Sequence, residues 1–379
     1  MKKKEKLFLA VILLAGFIMR LFGLINIRLG GDFAYHWEVA GSIAKGENFP
    51  LLGPAASINP DFHLGPFYYY FLAISHFLGA GNFKVAIVFF SLISSISIYF
   101  LYHLSREWFS EEESLKVTAL YAFSSYMITT GNFPWNAYLV PLVVILILLL
   151  LTRLKKGRHK YIVPLAFLYA VGLQLHATVI LLTPLLLLAI PYKKIKIKYL
   201  ILSLVVFVLI ISPWLVVEFG SGFEQTKNLF STLFVADSDC VFSEWIVSHG
   251  HGERCFHYFR NTLFIFRLFS VSLFVSTNFW LVILTFLVSI HTLFLSENPA
   301  RKFFITWLTG VFILYLFYSA NIYLHYMLIL VPLPFFVMGM FLQRIEKPRN
   351  GKLLSNLIFV LMIANNLVHF LISLRDIRI

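Results

Sequence analysis

Charged residues are scarce in this chain. Only 13% of its 379 residues are Asp, Glu, Lys or Arg, whereas an average soluble domain has about a quarter. Hydrophobic residues make up 59%, and the mean hydropathy is +0.83. A soluble protein of 43.7 kDa needs far more polar surface than this composition provides. The composition excludes soluble, secreted and disordered classes and predicts an all-α polytopic membrane protein.

Acidic residues are fewer than basic ones. The chain has 18 acidic and 31 basic residues, which gives a net charge of +13. The basic residues form clusters at MKKKEK (1–6), RLKKGRHK (153–160), KKIKIK (193–198) and RIEKPRNGK (344–352). Each cluster adjoins an apolar run of about the length that crosses ~30 Å of hydrocarbon. The positive-inside rule places the clusters in the cytoplasm. The charge therefore orients the chain in a bilayer, and no nucleic acid partner is expected.

The apolar runs predict a bundle of about eleven transmembrane helices. With the N-terminus inside, 21 of the 31 basic residues fall on the inner side. A single tilted helix over 161–191 would place KKIKIK outside, so we expect a tight hairpin there. The chain has no short-period repeat and no Gly/Ser linker, which indicates one integral unit over 1–379. The predicted spans are 7–27, 83–105, 115–131, 134–152, 161–174, 176–191, 198–217, 271–295, 303–319, 322–343 and 353–373.

Two long outer loops are expected, at 28–82 and 218–270, and both are rich in aromatic residues. In the first loop Phe33, Trp37 and Ala40 recur at helical spacing, which predicts a short amphipathic helix that lies at the interface. A second short helix is expected to begin close to Pro66, where the missing N–H costs least.

Only two cysteines are present, Cys240 and Cys255, and both lie in the second outer loop. On the oxidising side of the membrane a disulfide between them is the first interpretation. The alternative is a metal site, although the spacing matches no common zinc pattern. No cofactor is established, and a divalent metal has no clear motif. That site would use Cys240, His249, His251, Cys255 and His257 with Asp237 or Asp239.

Motifs for nucleotide and hydrolase chemistry are absent, since the sequence has no Walker loop, GxGxxG or GxSxG. Polar residues collect instead at the predicted outer ends of the spans. A charge at the bilayer centre costs about 2.5–3.5 kcal/mol on insertion scales, so such residues indicate function. We infer one outer cavity that is open sideways to lipid. Its expected members are Asp32, Tyr35, His36, Asp61, His63, Tyr68, Asn132, Trp135, Asn136, Gln174, His176, Glu218, Tyr323, His325 and Tyr326, with Arg20 in the first span.

Each of these residues also has a structural interpretation. Asp32 follows Gly-Gly and is suited to cap the helix that starts at Phe33. Arg20 either extends to the headgroups along its aliphatic stem or meets a lipid phosphate. The remaining alternatives are interfacial aromatic anchors at Tyr68 and Trp135, hydrogen-bonded structural histidines at His63 and His176, and a helix end at Asn136.

Six segments carry a resemblance to a known family: GGDFAYHWEVAGSIAKGENFPLLGP, HLGPFYYYFLAISHFLG, GNFPWNAYLVP, GLQLHATVILLTPLLL, SPWLVVEFGSGF and HYMLILVPLPF. In this order they resemble the GT-C glycosyltransferases, in the bacterial branch related to dolichyl-phosphate-mannose protein mannosyltransferases and lipid A aminoarabinose transferases. The resemblance spans most of the chain. It implies a GT-C-like bundle with short extracytoplasmic helices over the outer ends of the spans.

The resemblance also implies an activity, that of an inverting glycosyltransferase in the plasma membrane of a bacterium. Its donor would be a sugar on a polyprenyl phosphate, and its acceptor a hydroxyl of a glycan, lipid or protein at the extracytoplasmic face. Asp32 matches the acidic residue of the family's first loop, as general base or acceptor-orienting group. Many relatives have a second acidic residue next, where this chain has Phe33, so a role that needs two adjacent carboxylates is not expected. Neither the sugar nor the acceptor is specified.

This chemistry agrees with the residue types. Departure of the phosphate creates negative charge, which cationic or hydrogen-bonding groups stabilise in a partly dry cavity. Candidates are Arg20, His63, His325 and either Arg260 or Arg267. Substrate contacts are expected from Arg20, Tyr35, His36, Asp61, His63, Tyr68, Trp135, Asn136, Gln174, His176, His325 and Tyr326.

Two other functions stay open at this point. A transporter or flippase for lipid-linked glycans predicts repeated halves and a continuous polar path through the membrane. A non-catalytic assembly subunit predicts an open outer face without a cavity around Asp32.

Overall fold

Helices dominate the structure, because a backbone in lipid must satisfy its own hydrogen bonds. The computed structural model describes residues 3–26, 30–56, 59–233, 257–316 and 322–375. Its α-helices are α1 Lys3–Leu21, α2 Gly23–Asn26, α3 Gly31–Ala44, α4 Phe67–Leu78, α5 Lys84–Ser105, α6 Glu111–Phe123, α7 Ser125–Gly131, α8 Val140–Lys155, α9 Ile162–Leu175, α10 Thr183–Ala189, α11 Ile197–Ser221, α12 Glu224–Leu233, α13 His257–Phe274, α14 Phe279–Leu295, α15 Arg301–Leu316, α16 Leu333–Ile345 and α17 Gly351–Arg375.

Shorter elements connect these helices. Turns of 3₁₀-helix span Asn136–Leu139, His159–Tyr161, Ala177–Leu182, Tyr192–Lys194 and Leu324–Leu330. The strands β1 (Ala55–Ala56) and β2 (Asn59–His63) form an antiparallel pair in the first loop. Sequence patterns did not predict this hairpin. The described part of the chain is otherwise helical, as expected of an all-α membrane protein.

Every predicted span corresponds to helix in the structure, but not every one is long enough to cross a bilayer. Five helices among the described residues have the length and composition of a membrane span, and two bent pairs raise this to seven. The helix α9, with 14 residues, extends about 21 Å, which is less than the hydrocarbon thickness. The multi-pass architecture is thus established, and the count of eleven crossings stays a prediction.

Three helices mark the surface that faces lipid. Within α11 only 6% of the apolar window is buried, within α17 17% and within α1 28%. Exposed side chains such as Leu204 and Leu209 on α11 have no protein partner to cover them. In contrast, 72% of the window that contains α8 is buried, so α8 lies at the centre of the bundle.

Ion pairs join the helix ends at which the basic clusters lie. Lys116 Nζ on α6 lies 2.6 Å from Glu346 Oε1 after α16, and Lys352 Nζ on α17 lies 3.2 Å from Glu112 Oε2. Lys156, after α8, is 2.5 Å from Glu107, after α5. The predicted inner ends of these helices therefore meet at one end of the bundle.

The amphipathic face predicted for the first loop packs against protein. Phe33 and Ala40 on α3 are buried, and α3 lies along α4. The rings of Trp37 and His76 are 4.6 Å apart, and Gly41 gives His76 the space to approach α3. The helices α3 and α4 therefore form one packed pair.

Two helix breaks lie next to each other inside the bundle. Ser124 lies between α6 and α7, and its hydroxyl donates to the carbonyl of Ser272 on α13. Asn366 on α17 accepts the N–H of Ser125 and donates to the carbonyl of Leu273, which lies one residue before the end of α13, at the 96° bend into α14. Buried backbone groups must be paired, so these side chains replace the hydrogen bonds that the breaks remove.

We expect Asn366→Leu to lower the free energy of unfolding by about 1–3 kcal/mol, because the Ser125 N–H and the Leu273 carbonyl lose their partner in a buried site. Thermal unfolding of the purified protein in detergent measures this loss. The matched control is Asn365→Leu on the same helix, where one half-buried bond to the Phe274 carbonyl is removed and a smaller loss is expected. Equal effects of the two substitutions would show that Asn366 does not stabilise the two helix breaks.

Candidate functional site

A cluster of aromatic and imidazole rings occupies the other end of the bundle. The ring centroids of Trp135 and His325 are 4.5 Å apart, those of His176 and His325 are 5.6 Å apart, and those of His176 and Tyr326 are 5.3 Å apart. Tyr323 stacks on His325 at 5.6 Å. Residues from three distant segments therefore form one ring cluster.

Breaks in the helices position this ring cluster. His176 ends α9 with an extended backbone, and its Nδ1 accepts the N–H of Thr178 to cap the following 3₁₀ turn. Asn136 donates its amide to the carbonyl of Leu175, 2.7 Å away, which ties the start of the central helix to the end of α9. His325 stands in another 3₁₀ turn, ahead of the 57° bend into α16.

The first loop joins this cluster through α4. Tyr68 is fully buried and donates its hydroxyl to the carbonyl of Pro134, 2.8 Å away and next to Trp135. His36 on α3 contacts the rings of Tyr68 and Tyr69, each at 5.4 Å. A continuous series of contacts thus runs from α3 through Tyr68 to the ring cluster.

Asp32 lies in the first turn of α3, four residues before His36. The N-cap of α3 is Gly30, with no side-chain hydrogen bond, so Asp32 is not the capping residue. Burial lowers the pKa of the His36 imidazole, and the nearby negative charge of Asp32 opposes this shift. The carboxylate itself is exposed, so it lies at the entrance of the contact series instead of inside a closed cavity. Tyr35 is 61% exposed beside it.

Gln174 links the first loop to the spans from a buried position. Its Oε1 accepts the N–H of Phe67, which is the first residue of α4, and its Nε2 donates to the carbonyl of Ile210 on α11. Gly65 is needed here, because a Cβ at that position would overlap the Gln174 amide.

His63 and Asp61 lie on β2 and contact α11 and α12. The N–H of His63 donates to Gln225 Oε1 at 2.6 Å, and the indole N–H of Trp214 donates to the His63 carbonyl at 3.1 Å. The carbonyl of Asp61 accepts a hydrogen bond from the Asn228 amide, while the Asp61 side chain is exposed. The β-hairpin is therefore held by residues more than 150 positions later in the chain.

Three polar atoms at this end of the bundle are buried and have no hydrogen-bond partner among the described residues: His63 Nδ1, His325 Nε2 and Glu218 Oε2. The other oxygen of Glu218 accepts the N–H of Thr226, which connects α11 to α12. A bound substrate is one way to satisfy the two histidine nitrogens.

Arg20 does not lie where the sequence placed it. It is fully buried between α1, α5 and α6, with hydrogen bonds to Ser94 Oγ and to the carbonyls of Gly16 and Ala122. The guanidinium is therefore held inside the bundle and does not extend to the headgroups. Its Nη2 is buried without a hydrogen-bond partner among the described residues, and it lies next to Gly131, four residues before Trp135. A contact between Arg20 and a lipid phosphate stays a prediction.

The sequence patterns missed three residues that hold the β-hairpin in place. Trp214 stands in the segment SPWLVVEFGSGF but was not singled out, and Gln225 and Asn228 lie on α12, which no pattern predicted. Of the other predicted members, Tyr323 contacts the ring of Tyr326, and Asn132 is buried after α7.

Other predicted residues lie outside the described residues or show no site. Cys240, Cys255, His249 and His251 belong to 234–256, which the structure does not describe, and the side chain of Arg260 is not described either. Arg267 is half-buried over the Phe264 ring on α13. Across the described ranges, no group of three or more His, Cys, Asp or Glu residues has the arrangement of a metal site.

Comparison with known proteins identifies the fold. The family model of dolichyl-phosphate-mannose-protein mannosyltransferases matches residues 63–217, and no curated protein matches the sequence. The crystal structure of ArnT from Cupriavidus metallidurans bound to undecaprenyl phosphate superposes with a TM-score of 0.60 at 14% identity. The chain has the GT-C fold. The match covers 89% of this chain but 60% of the ArnT chain, so this chain spans less than two thirds of that protein.

The two matches confirm the resemblance noted in the sequence. The family model includes His63, Tyr68, Trp135 and His176 of this GT-C chain, whereas Asp32 lies before the matched range.

Proposed function

We propose that this GT-C protein is an inverting glycosyltransferase that moves a sugar from a polyprenyl phosphate to an acceptor hydroxyl at the extracytoplasmic face of the bacterial plasma membrane. The observation that carries the proposal is the convergence of Tyr68, Trp135, His176 and His325 on one end of the bundle, opposite the basic clusters. The fold supports it, because ArnT, which shares this fold, was crystallised with undecaprenyl phosphate.

The donor lipid requires two different surroundings. Its isoprenoid tail needs an apolar path from the bilayer, and its phosphate needs hydrogen-bond donors at headgroup depth. The exposed apolar face of α11 provides the first, close to Trp214 and His63. The unpartnered nitrogens of His63 and His325 provide donors for the second, since negative charge grows on the phosphate as the sugar leaves.

Inversion needs a base on the side of the sugar opposite the phosphate. Asp32 serves as this base, because its exposed carboxylate at the start of α3 is accessible to an acceptor hydroxyl that enters from outside. His36 lies between Asp32 and Tyr68 and keeps α3 in register with the ring cluster. Burial lowers the pKa of His36 and favours its neutral imidazole, so His36 does not place a compensating positive charge beside Asp32.

A transfer assay tests the proposal. The purified full chain is incubated with a panel of radiolabelled polyprenyl-phosphate sugars and a membrane extract. We expect label to move from one donor to a new product, with net inversion at the anomeric carbon. Movement of intact lipid-linked sugar across sealed vesicles without transfer would instead indicate a flippase, and failure with every donor would contradict the proposal.

A further inference from the structure

An apolar cavity with a cationic end lies far from the ring cluster. It has a volume of about 390 Å³, within the range of ~300–1,000 Å³ typical of ligand sites. Phe100, Leu146, Leu150 and Phe167 form its apolar wall, and Arg153 and Tyr161 stand at its end. The proposed transfer chemistry uses none of these residues.

The position of the cavity separates it from the candidate active site. Both lie along the central helix α8, which extends about 24 Å. The 3₁₀ turn with Asn136 precedes its first residue, whereas Arg153 lies in its last turn. The cavity therefore opens at the end of the bundle where the basic clusters collect.

Other basic residues at this end form ion pairs, but in the part of the chain that the structure describes the cations around the cavity do not. Arg153, Arg158 and Lys160 make no salt bridge within the described residues, and Glu107 is bonded to Lys156. The Arg153 guanidinium and the Lys160 ammonium each lie 5.8 Å from the centre of the Tyr161 ring. Gly157 turns the chain back here with a φ of +82°, so the basic residues on both sides of it surround one corner.

Access to the cavity is from the side of the bundle. Pro164 and Phe167 on α9 are exposed at its edge, and α9 lies on α11, whose outer face is apolar. An apolar chain that enters from the bilayer thus ends beside the cations Arg153 and Lys160.

We propose that this cavity binds an anionic glycerophospholipid of the membrane. One acyl chain lies along Phe100, Leu146 and Leu150, and the phosphate lies between Arg153 and Lys160. Basic pockets between membrane helices attract anionic headgroups for the same electrostatic reason. The inference goes beyond the proposed function, since it concerns another end of the bundle and another ligand.

Lipid binding to the purified full chain in detergent tests this site. Native mass spectrometry compares phosphatidylglycerol with phosphatidylcholine of identical acyl chains, and we expect phosphatidylglycerol to bind more tightly. Arg153→Gln is expected to weaken phosphatidylglycerol binding about fivefold, as expected for one basic group near a headgroup. Leu146→Trp fills the cavity and should weaken binding of both lipids. If Leu146→Trp does not fold, Leu150→Trp is used in its place. Lys194→Gln removes an exposed lysine elsewhere and should change nothing.

Three results would overturn the site. Equal binding of the two phospholipids would contradict electrostatic recognition of the headgroup. Unchanged binding in Arg153→Gln or in the filled-cavity variant would show that the lipid binds elsewhere. Tighter binding of undecaprenyl phosphate, lost in Arg153→Gln, would assign the cavity to a polyprenyl lipid. None of these measurements uses sugar transfer, so they stand or fall independently of the proposed enzyme.

Discussion

Asp32→Asn is expected to lower sugar transfer by about 10²–10⁴-fold, the usual contribution of a general base. The amide has the same shape as the carboxylate but cannot take the proton of an acceptor hydroxyl. Asp32 is exposed and makes no capping bond, so the fold should not depend on its charge. Turnover of the labelled donor identified in the transfer assay measures the effect, and thermal unfolding in detergent verifies the fold.

Glu38→Gln is the matched control for this experiment. Glu38 is an exposed carboxylate on the same helix, α3, and lies outside the contact series that leads to the ring cluster. We expect its substitution to leave transfer unchanged. Wild-type turnover by Asp32→Asn would exclude Asp32 as the base and leave the other members of the site in place.

Gly53→Ala is expected to disrupt the first loop more than any other single methyl group. A Cβ at Gly53 would overlap the carbonyl oxygen of Gly65. This oxygen belongs to the backbone, so it cannot rotate away as a side chain could. The neighbouring bond from the Gly53 N–H to the Leu64 carbonyl is 2.7 Å long, which fixes this close approach. Overpacking of this kind costs about 1–3 kcal/mol.

The same substitution should affect activity, because the overlap would displace Gly65, which lies between His63 and the start of α4. A displacement of about 1 Å in positioning groups costs about 10²-fold in rate. Thermal unfolding and label transfer measure the two effects separately. Gly220→Ala is the control, since nothing lies within 4 Å of the added methyl group. If Gly53→Ala had the melting temperature and turnover of the control, the close approach of Gly53 to Gly65 would be wrong.

The positions of the helices could be predicted from sequence because lipid imposes a simple requirement. An apolar run between basic clusters has to form helix, so the predicted spans 83–105 and 198–217 agree closely with Lys84–Ser105 and Ile197–Ser221. The two short helices of the first loop were predicted from periodicity and from Pro66, and α3 and α4 follow those limits.

The helix breaks and the β-hairpin could not be predicted in this way, because distant side chains stabilise them. Ser124 interrupts a run with no proline, and its break depends on Asn366, more than 240 residues later. The hairpin depends on Gln225 and Asn228. Local sequence carries no record of such partners, so a continuous span over 115–131 was the natural expectation.

The sequence singled out residues that the structure brings together, but it could not give their geometry. Polar residues at span ends are costly unless they are used, which singled out Trp135, His176 and His325. Arg20 fitted the same criterion, yet it lies inside the bundle because two glycines and a serine leave space for a guanidinium there. Residue type alone does not distinguish a buried structural arginine from one that meets a phosphate.

The brace around Asn366 has a consequence for biogenesis. The ribosome makes α17 after both of the breaks that it closes, so the Ser125 N–H and the Leu273 carbonyl enter the membrane before their partner exists. A nascent chain arrested ahead of residue 366 has its earlier helices but not this closure. These two helix breaks are therefore closed only after α17 has been synthesised.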